Sequence, residues 1–236
     1  LTTLVSASVL AVGALAVVPA PARADDVITT QEYFSYYHLD TARAKGYTGK
    51  GVAIALIDGT VDTSAPELKG ANITDKSRCT IEAAPKDRGH GTAMASYLVA
   101  PAYGVAPDAT LLTYQVSTSE SKSAGSCDIG GNRLDTYDQI INQAIDDGAQ
   151  IISISVGAPE TDDSIKWAIA RAMSRGVIIV NSAGNTGADN NANQLSRWSG
   201  VVGVSAIAAD GSFADYSSWG NGVTTAAFGE PFTGRD

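Results

Sequence analysis

Residues 51–57 read GVAIALI, a run of apolar side chains that Asp58, Gly59 and Thr60 follow directly. An apolar run of this length predicts a central strand of a parallel sheet, buried on both faces. Asp58 then lies just beyond the carboxyl end of the strand, at the edge of an α/β sheet where ligands and catalytic groups collect. An ordinary Asp-Gly turn is the alternative interpretation of these residues.

Further along the chain, apolar runs alternate with segments of helical periodicity. Strands are predicted over residues 52–57, 110–116, 150–155, 177–180 and 201–206, and helices over 90–100, 134–147 and 162–174. Strands that alternate with helices of this length predict an α/β fold. We therefore expect one domain built on a doubly wound, mostly parallel sheet with helices on both faces.

The composition indicates a globular protein and argues against nucleic acid as its partner. The 236 residues are 44% hydrophobic and 17% charged, which is typical of a globular protein and long enough for one sizeable core. The formal net charge is −9 and no cluster of Lys or Arg occurs. Nucleic acid is therefore not an expected partner, because phosphate binding needs a basic face.

The N-terminus predicts export. Residues 1–18 are apolar and uncharged, and the small residues Ala22 and Ala24 then form an Ala-x-Ala cleavage pattern. We expect residues 1–24 to be a signal peptide that lacks its basic n-region, and the mature protein to be secreted and to begin at Asp25. No stable membrane association is expected after cleavage. An uncleaved membrane anchor is the alternative, since the apolar run is just long enough to span a bilayer.

The sequence contains two cysteines, Cys79 and Cys127. An even pair in an exported protein favours a disulfide, whereas two unrelated free thiols are the alternative. The two histidines are far apart in the chain, and no acidic spacing resembles a calcium cage. We assign no metal site and no cofactor for chemistry, and leave structural calcium open.

Two further segments contain residues suited to catalysis. Residues 88–95 read RGHGTAMA, so His90 stands between two glycines at the start of an apolar helical run. An exposed His with a packed helix behind it can act as a general base, and a surface His at a helix cap is the alternative. Residues 176–187 read GVIIVNSAGNTG, a strand followed by Asn185, whose amide could stabilise an oxyanion. An ordinary Gly/Asn turn is the alternative there.

Together these three segments resemble the subtilisin-like serine proteases, in that family's order of Asp, His and oxyanion Asn. The resemblance also includes residues 47–51 (YTGKG), 104–109 (GVAPDA), 152–157 (ISISVG) and 214–220 (ADYSSWG). It extends over most of the chain after the predicted signal peptide. It implies a catalytic domain over residues 38–236, preceded by a polar, aromatic-rich lead-in segment over residues 25–37.

The resemblance implies a role for each matched residue. Asp58 would orient the imidazole of His90, His90 would act as general base and acid, and Asn185 would bind the oxyanion. A strand edge at Gly130 and Gly131 would pair with the backbone of a peptide or protein substrate. The pocket for the side chain before the cleaved bond would have two walls, one formed by Ser155, Val156 and Gly157 and the other by Ser182, Ala183 and Gly184.

Two features depart from the family's pattern. The motif Asp-(Ser/Thr)-Gly is replaced by Asp58-Gly59-Thr60, so we expect the turn after Asp58 to be built differently. The family's nucleophile lies in a Gly-Thr-Ser-Met-Ala motif, which residues 1–236 do not contain. We therefore expect an exported serine endopeptidase whose serine and C-terminal part lie beyond Asp236, and a fragment that is inactive by itself. A truncated pseudoprotease that binds peptides without cleaving them is the alternative.

Overall fold

The computed structural model describes residues 27–82, 88–116, 122–123, 127–157, 163–189 and 195–230. The predicted signal peptide, residues 1–24, lies outside the described residues, as does the start of the lead-in segment. Within the described ranges, no helix has both the length and the apolar character needed to cross a bilayer.

In the ranges that the structure describes, eleven strands and five α-helices form the fold. In chain order, the strands are β1 (Ala53–Asp58), β2 (Asn72–Asp75), β3 (Ile81–Glu82), β4 (Thr110–Gln115), β5 (Lys122–Ser123), β6 (Asp128–Ile129), β7 (Asn132–Arg133), β8 (Ile151–Ile154), β9 (Ile178–Ser182), β10 (Val201–Ala208) and β11 (Thr225–Glu230). The helices are α1 (Glu32–Tyr36), α2 (Leu39–Ala44), α3 (Gly89–Val99), α4 (Tyr137–Asp146) and α5 (Asp163–Ser174). Short 3-10 turns occur at Pro66–Leu68 and Leu195–Arg197.

The main sheet has seven strands in the order β11-β10-β9-β8-β1-β4-β2, and every neighbouring pair is parallel. All five predicted strands are present, with β1 in the interior of the sheet. Sequence patterning missed β2 and β11, the two edge strands. The first is short and mostly exposed, and the second lacks a continuous apolar run, so neither has the signature of a buried strand.

Both faces of the sheet are covered, as predicted. Ala55 and Ile57 of β1 pack into a large apolar cluster with α4 and α5, whereas Ile54 and Leu56 pack into a second cluster with α3. Successive side chains of a strand point to opposite faces, so this alternation places helices on both sides. The predicted α/β fold, a mostly parallel sheet with helices on both faces, is confirmed.

Helix α4 starts later than its pattern predicted. The expected helix spans residues 134–147, but residues 132–133 form β7 and Thr136 has an extended backbone at the N-cap position. The apolar face is nevertheless the predicted one, because Ile140, Ile141, Ala144 and Ile145 are all buried. A polar hairpin immediately before the helix therefore determines where the helix begins.

The described part of the lead-in segment, residues 27–37, packs against the rest of the fold. Tyr33 of α1 is buried in a cluster with Ala100, Tyr103 and Phe228, and its hydroxyl donates to the Tyr103 carbonyl at 3.1 Å. Burial raises the pKa of this phenol. The guanidinium of Arg43 donates to three carbonyls of the loop after α3, those of Pro101, Ala102 and Gly104. Tyr33 of the lead-in segment and Arg43 of α2 together hold the loop that follows α3.

A disulfide joins Cys79 and Cys127, whose Cα atoms are 5.0 Å apart and whose sequence separation is 48 residues. Two small antiparallel sheets flank it, β3 with β5 and β6 with β7. Cys127 is 1% exposed, and its carbonyl accepts the Leu134 N–H at 2.9 Å. The bridge therefore ties the β6–β7 hairpin to the chain between β2 and β3.

Candidate active site

Asp58 is the last residue of β1, so it lies at the carboxyl edge of the main sheet, and its side chain is only 1% exposed. Its Oδ1 accepts a hydrogen bond from the Gly59 backbone N–H at 2.7 Å. A buried carboxylate is costly unless it is hydrogen-bonded or paired. This position therefore needs donors, and the second donor comes from α3.

His90 supplies that donor. It is the second residue of α3, and its Nδ1 lies 2.7 Å from Asp58 Oδ1. Because an ionised carboxylate can only accept, this contact assigns the neutral imidazole a proton on Nδ1, and Nε2 is then the basic nitrogen. The His90 side chain is 48% exposed, so Asp58 holds the ring from the protein interior while solvent reaches it from outside.

Gly91 allows this close approach. A Cβ atom at position 91 would lie 2.8 Å from the carbonyl oxygens of both Gly59 and Thr60, closer than side chains come in real structures. The turn after β1 therefore packs directly against the backbone of α3. A glycine at position 91, directly after His90, therefore leaves the space that these two carbonyl oxygens occupy.

Thr92 ties the same turn to the helix. Its Oγ1 accepts the Asp62 N–H at 2.8 Å and donates to the Arg88 carbonyl at 2.7 Å. Asp62 closes the turn by accepting hydrogen bonds from both the hydroxyl and the N–H of Ser64. These bonds, that of the Ser64 hydroxyl first, lower the pKa of the Asp62 carboxyl. The side chains of Thr92, Asp62 and Ser64 thus fix the turn that follows Asp58.

Asn185 lies on the loop after β9, with its side chain exposed. The loop is fixed by Ser218, whose N–H donates to the Gly184 carbonyl at 2.8 Å and whose Oγ accepts the Thr186 N–H at 3.2 Å. Strand β8 lies between β9 and β1, so β9 and β1 are about 10 Å apart. Asn185 and Asp58 therefore lie on the same edge with one strand between them.

The two predicted pocket walls also lie at this edge. The strand register pairs Ile57 with Ile154, and Ile154 with Asn181, so residues 155–157 and 182–184 begin level with Asp58. In the first wall Ser155 and Val156 are half-buried and Gly157 is exposed; in the second, Ala183 is buried while Ser182 and Gly184 are half-buried. The walls are the continuations of two neighbouring strands.

Gly130 and Gly131 occupy a different place from the one expected. They connect β6 to β7 with φ angles of 61° and 86°, and the Gly131 N–H donates to Asp128 Oδ1 at 2.8 Å. Two consecutive residues with positive φ form the tight turn of a hairpin. Such a turn does not present the extended row of N–H and C=O groups of a strand edge, which corrects the predicted geometry. A role for these glycines in substrate binding stays a prediction.

Two side chains next to the walls were not expected from the pattern. Asn181, near the end of β9, is 1% exposed and its Nδ2 donates to the Ile154 carbonyl at 2.9 Å. The hydroxyl of Tyr137 donates to the Gly157 carbonyl at 3.0 Å. An amide at the end of an otherwise apolar strand was the one available sequence signal for Asn181.

Metal sites are commonly built from clustered His, Cys, Asp and Glu side chains. In the ranges that the structure describes, no group of three or more His, Cys, Asp or Glu residues is arranged as metal ligands would be. The geometry at the sheet edge is instead that of a buried carboxylate bonded to a half-exposed imidazole, which is suited to proton transfer.

Comparison with known proteins finds relatives among the serine proteases. The major intracellular serine protease of Bacillus subtilis is 31% identical over 201 residues, which cover 79% of this chain and 60% of that protein. A thermostable alkaline protease of Halalkalibacterium halodurans is also 31% identical, with 83% of this chain and 52% of that protein covered. The chain thus spans only about half to six-tenths of the length of these curated relatives.

A solved structure shows the same fold. The psychrophilic subtilisin-like protease Apa1 from the Antarctic psychrotroph Pseudoalteromonas sp. AS-11 superposes with a TM-score of 0.70 at 18% identity, covering 86% of this chain and 47% of that one. The sequence profile of the subtilase family matches residues 49–233, which include Asp58, His90 and Asn185. This chain therefore belongs to the subtilase family.

Proposed function

We propose that the protein is a serine endopeptidase of the subtilisin type that hydrolyses peptide or protein substrates. The observation that supports this most directly is the 2.7 Å hydrogen bond between buried Asp58 and half-exposed His90. The two residues come from different elements, β1 and α3, and meet at the carboxyl edge of the sheet. Family membership supports the reaction class, and this contact supports the assignment of Asp58 and His90 as the proton-transfer pair.

In the proposed reaction, His90 Nε2 takes the proton of a serine hydroxyl as that hydroxyl attacks the peptide carbonyl. The imidazolium then gives this proton to the leaving amine. Asp58 keeps the Nδ1–H tautomer in place and stabilises the imidazolium. Asn185 donates its amide N–H to the oxyanion, and residues 155–157 and 182–184 hold the side chain before the cleaved bond.

The nucleophile is proposed to come from outside residues 1–236, since these residues do not contain a Gly-Thr-Ser-Met-Ala motif. Asp58, His90 and Asn185 can orient, transfer a proton and stabilise charge, but none attacks a carbonyl as a serine does. Residues 1–236 alone are therefore proposed to lack peptidase activity. Below, the full-length protein means these residues together with the segment that supplies the serine.

Export is a further part of the proposal. The apolar run of residues 1–18 and the Ala22-x-Ala24 pattern support cleavage before Asp25 and secretion. Mass spectrometry of the protein recovered from the medium tests this proposal, and an N-terminus that retains residues 4–18 contradicts it. The chemistry itself is proposed to need no cofactor, and structural calcium stays open.

The test of the activity compares the two histidines of the chain. In the full-length protein, His90→Ala should reduce peptide hydrolysis by about four orders of magnitude or more, and a serine-directed phosphonyl fluoride should abolish it. His38→Asn is the matched control, because His38 is exposed at the start of α2 with a φ of 51°, which Asn tolerates. Hydrolysis that survives His90→Ala contradicts the proposal. Peptide binding without turnover by the full-length protein supports a pseudoprotease instead.

A further inference from the structure

Asn181 is a buried amide in an apolar position. It follows Ile179 by two residues in β9, so both side chains lie on the same face of the sheet, where Ile179 packs into the cluster with α4 and α5. Its Nδ2 donates to the Ile154 carbonyl at 2.9 Å, while its Oδ1 is buried and bonds to none of the described residues. Burial of a polar group costs free energy unless the group is hydrogen-bonded, and the Nδ2 bond offsets part of that cost for Asn181.

The partner of this bond lies at a junction. Ile154 is the last residue of β8, and residues 155–157, the first pocket wall, leave the sheet directly after it. Asn181 itself directly precedes residues 182–184, the second wall. One side-chain bond of 2.9 Å thus joins the two residues that immediately precede the walls.

The far end of the first wall has a bond of its own. The Gly157 carbonyl accepts from the hydroxyl of Tyr137, the first residue of α4, at 3.0 Å. Tyr137 is 8% exposed, so its ring is packed and its hydroxyl is held in place. Residues 155–157 are therefore fixed by a side chain at each end.

We infer that Asn181 is a positioning residue that sets the separation of the two walls, and thereby the size of side chain accepted before the cleaved bond. Tyr137 assists by fixing the outer end of the first wall. The inference rests on the proposed function, because the walls form a pocket only if residues 155–157 and 182–184 bind substrate. Neither residue contacts the reacting atoms, so the effect is on substrate choice rather than on the chemical step.

The test measures substrate choice in the full-length protein. Two fluorogenic peptides are compared that differ only in having Phe or Ala before the scissile bond. Asn181→Leu keeps the branched shape and the number of heavy atoms and removes the donor, which frees the first wall to move outward. We expect the Phe-to-Ala ratio of kcat/KM to rise about fivefold, mainly through KM. Tyr137→Phe should raise the ratio about twofold by the same route.

Asn72→Leu is the matched control. Asn72 also donates its Nδ2 to a residue of the neighbouring strand, Thr110 Oγ1 at 2.9 Å. This bond lies on the exposed edge strand β2, away from β8 and β9. The ratio in Asn72→Leu should equal that of the unmodified protein. A ratio that is also unchanged in Asn181→Leu, with hydrolysis intact, overturns the inference while leaving the proposed function standing.

Tyr137→Phe decides the question if Asn181→Leu does not fold, because it removes only a hydroxyl group. An unchanged ratio in Tyr137→Phe then overturns the inference, and a raised ratio supports it. Hydrolysis that persists in His90→Ala contradicts the proposed function instead, so the two failures are distinguishable.

Discussion

The two halves of the candidate active site are built in different ways. On the β1 side, Asp58 and His90 are bonded to each other at 2.7 Å, and Gly91 lets the two backbones touch. On the β9 side, the loop backbone at Gly184 and Thr186 is fixed by Ser218, while the side chain of Asn185 is exposed. Both partners of the Asp58–His90 bond are therefore held by described residues, whereas the proposed oxyanion donor Asn185 has a fixed loop backbone and an exposed side chain.

Because the two halves are built differently, we expect substitutions in them to have different effects on activity and on stability. Substitutions on the β1 side should alter the geometry of His90 and, because the backbones of α3 and the β1 turn are in contact, the stability of the domain. Damage at Asn185 should alter only the reaction, because its exposed side chain contributes little to packing. The predictions below use this contrast, beginning with the largest expected effect.

Asp58→Asn should have the largest effect. An amide at this position can donate to the imidazole and so favour the wrong tautomer, a change that costs about 10⁴ in kcat where an Asp-His pair serves a serine nucleophile. Peptide hydrolysis by the full-length protein measures the loss. In residues 1–236, the low-field Nδ1–H proton resonance of His90 should also disappear or move. Unchanged activity and an unchanged resonance would show that the 2.7 Å contact has no catalytic role.

Asn185→Ala should cost about 10² to 10³ in kcat, the usual effect of removing one oxyanion donor. In contrast to Asp58→Asn, it should leave the His90 resonance and the unfolding midpoint of residues 1–236 unchanged. Steady-state kinetics and urea unfolding of the same variant test the two halves of this statement. A large loss of stability would mean that the loop after β9 depends on the Asn185 side chain.

The sequence predicted the interior of this fold better than its edges. The five predicted strands are rich in apolar residues, and many of those side chains are buried in the structure. The edge strands β2 and β11 have no continuous apolar runs, because an edge strand exposes part of its surface. Register and strand order also could not be read from the chain, since they depend on long-range pairing.

In the candidate site too, residues with a local sequence pattern were easier to predict than residues whose contacts are distant in the chain. Asp58, His90 and Asn185 could be found because each sits in a short local pattern of glycines and an apolar run. Asn181 and Tyr137 could not be assigned from sequence, because their partners Ile154 and Gly157 are distant in the chain. The hairpin at residues 130–131 was misjudged as a strand edge because a Gly-Gly pair fits both structures until the flanking register is known.

Gly91→Ala should destabilise the domain by about 1 to 3 kcal/mol, since the new Cβ would lie 2.8 Å from two backbone oxygens that cannot easily move. Gly89→Ala, two residues earlier in the same helix, is the matched control. A Cβ there meets nothing within 4 Å, and alanine favours a helix, so its stability should be equal or higher. Urea unfolding of residues 1–236 compares them, and equal stabilities would refute the close packing of α3 on the β1 turn.

Ser64→Ala should have the smallest effect, and that effect should depend on pH. The Ser64 hydroxyl donates to Asp62 Oδ1 at 2.6 Å and is the main reason that the pKa of Asp62 is lowered. A carboxyl whose pKa is lower in the folded state stabilises the fold above its unfolded pKa, and this stabilisation is lost as pH falls through the folded pKa. The hydroxyl bond is partly exposed, so we expect a loss of about 0.5 kcal/mol at neutral pH. Urea unfolding of both proteins from neutral pH to below pH ~4 should show this difference shrinking as Asp62 becomes protonated. A difference that stays constant over that range would mean that the hydroxyl acts on the turn after β1 by packing and not through the charge of Asp62.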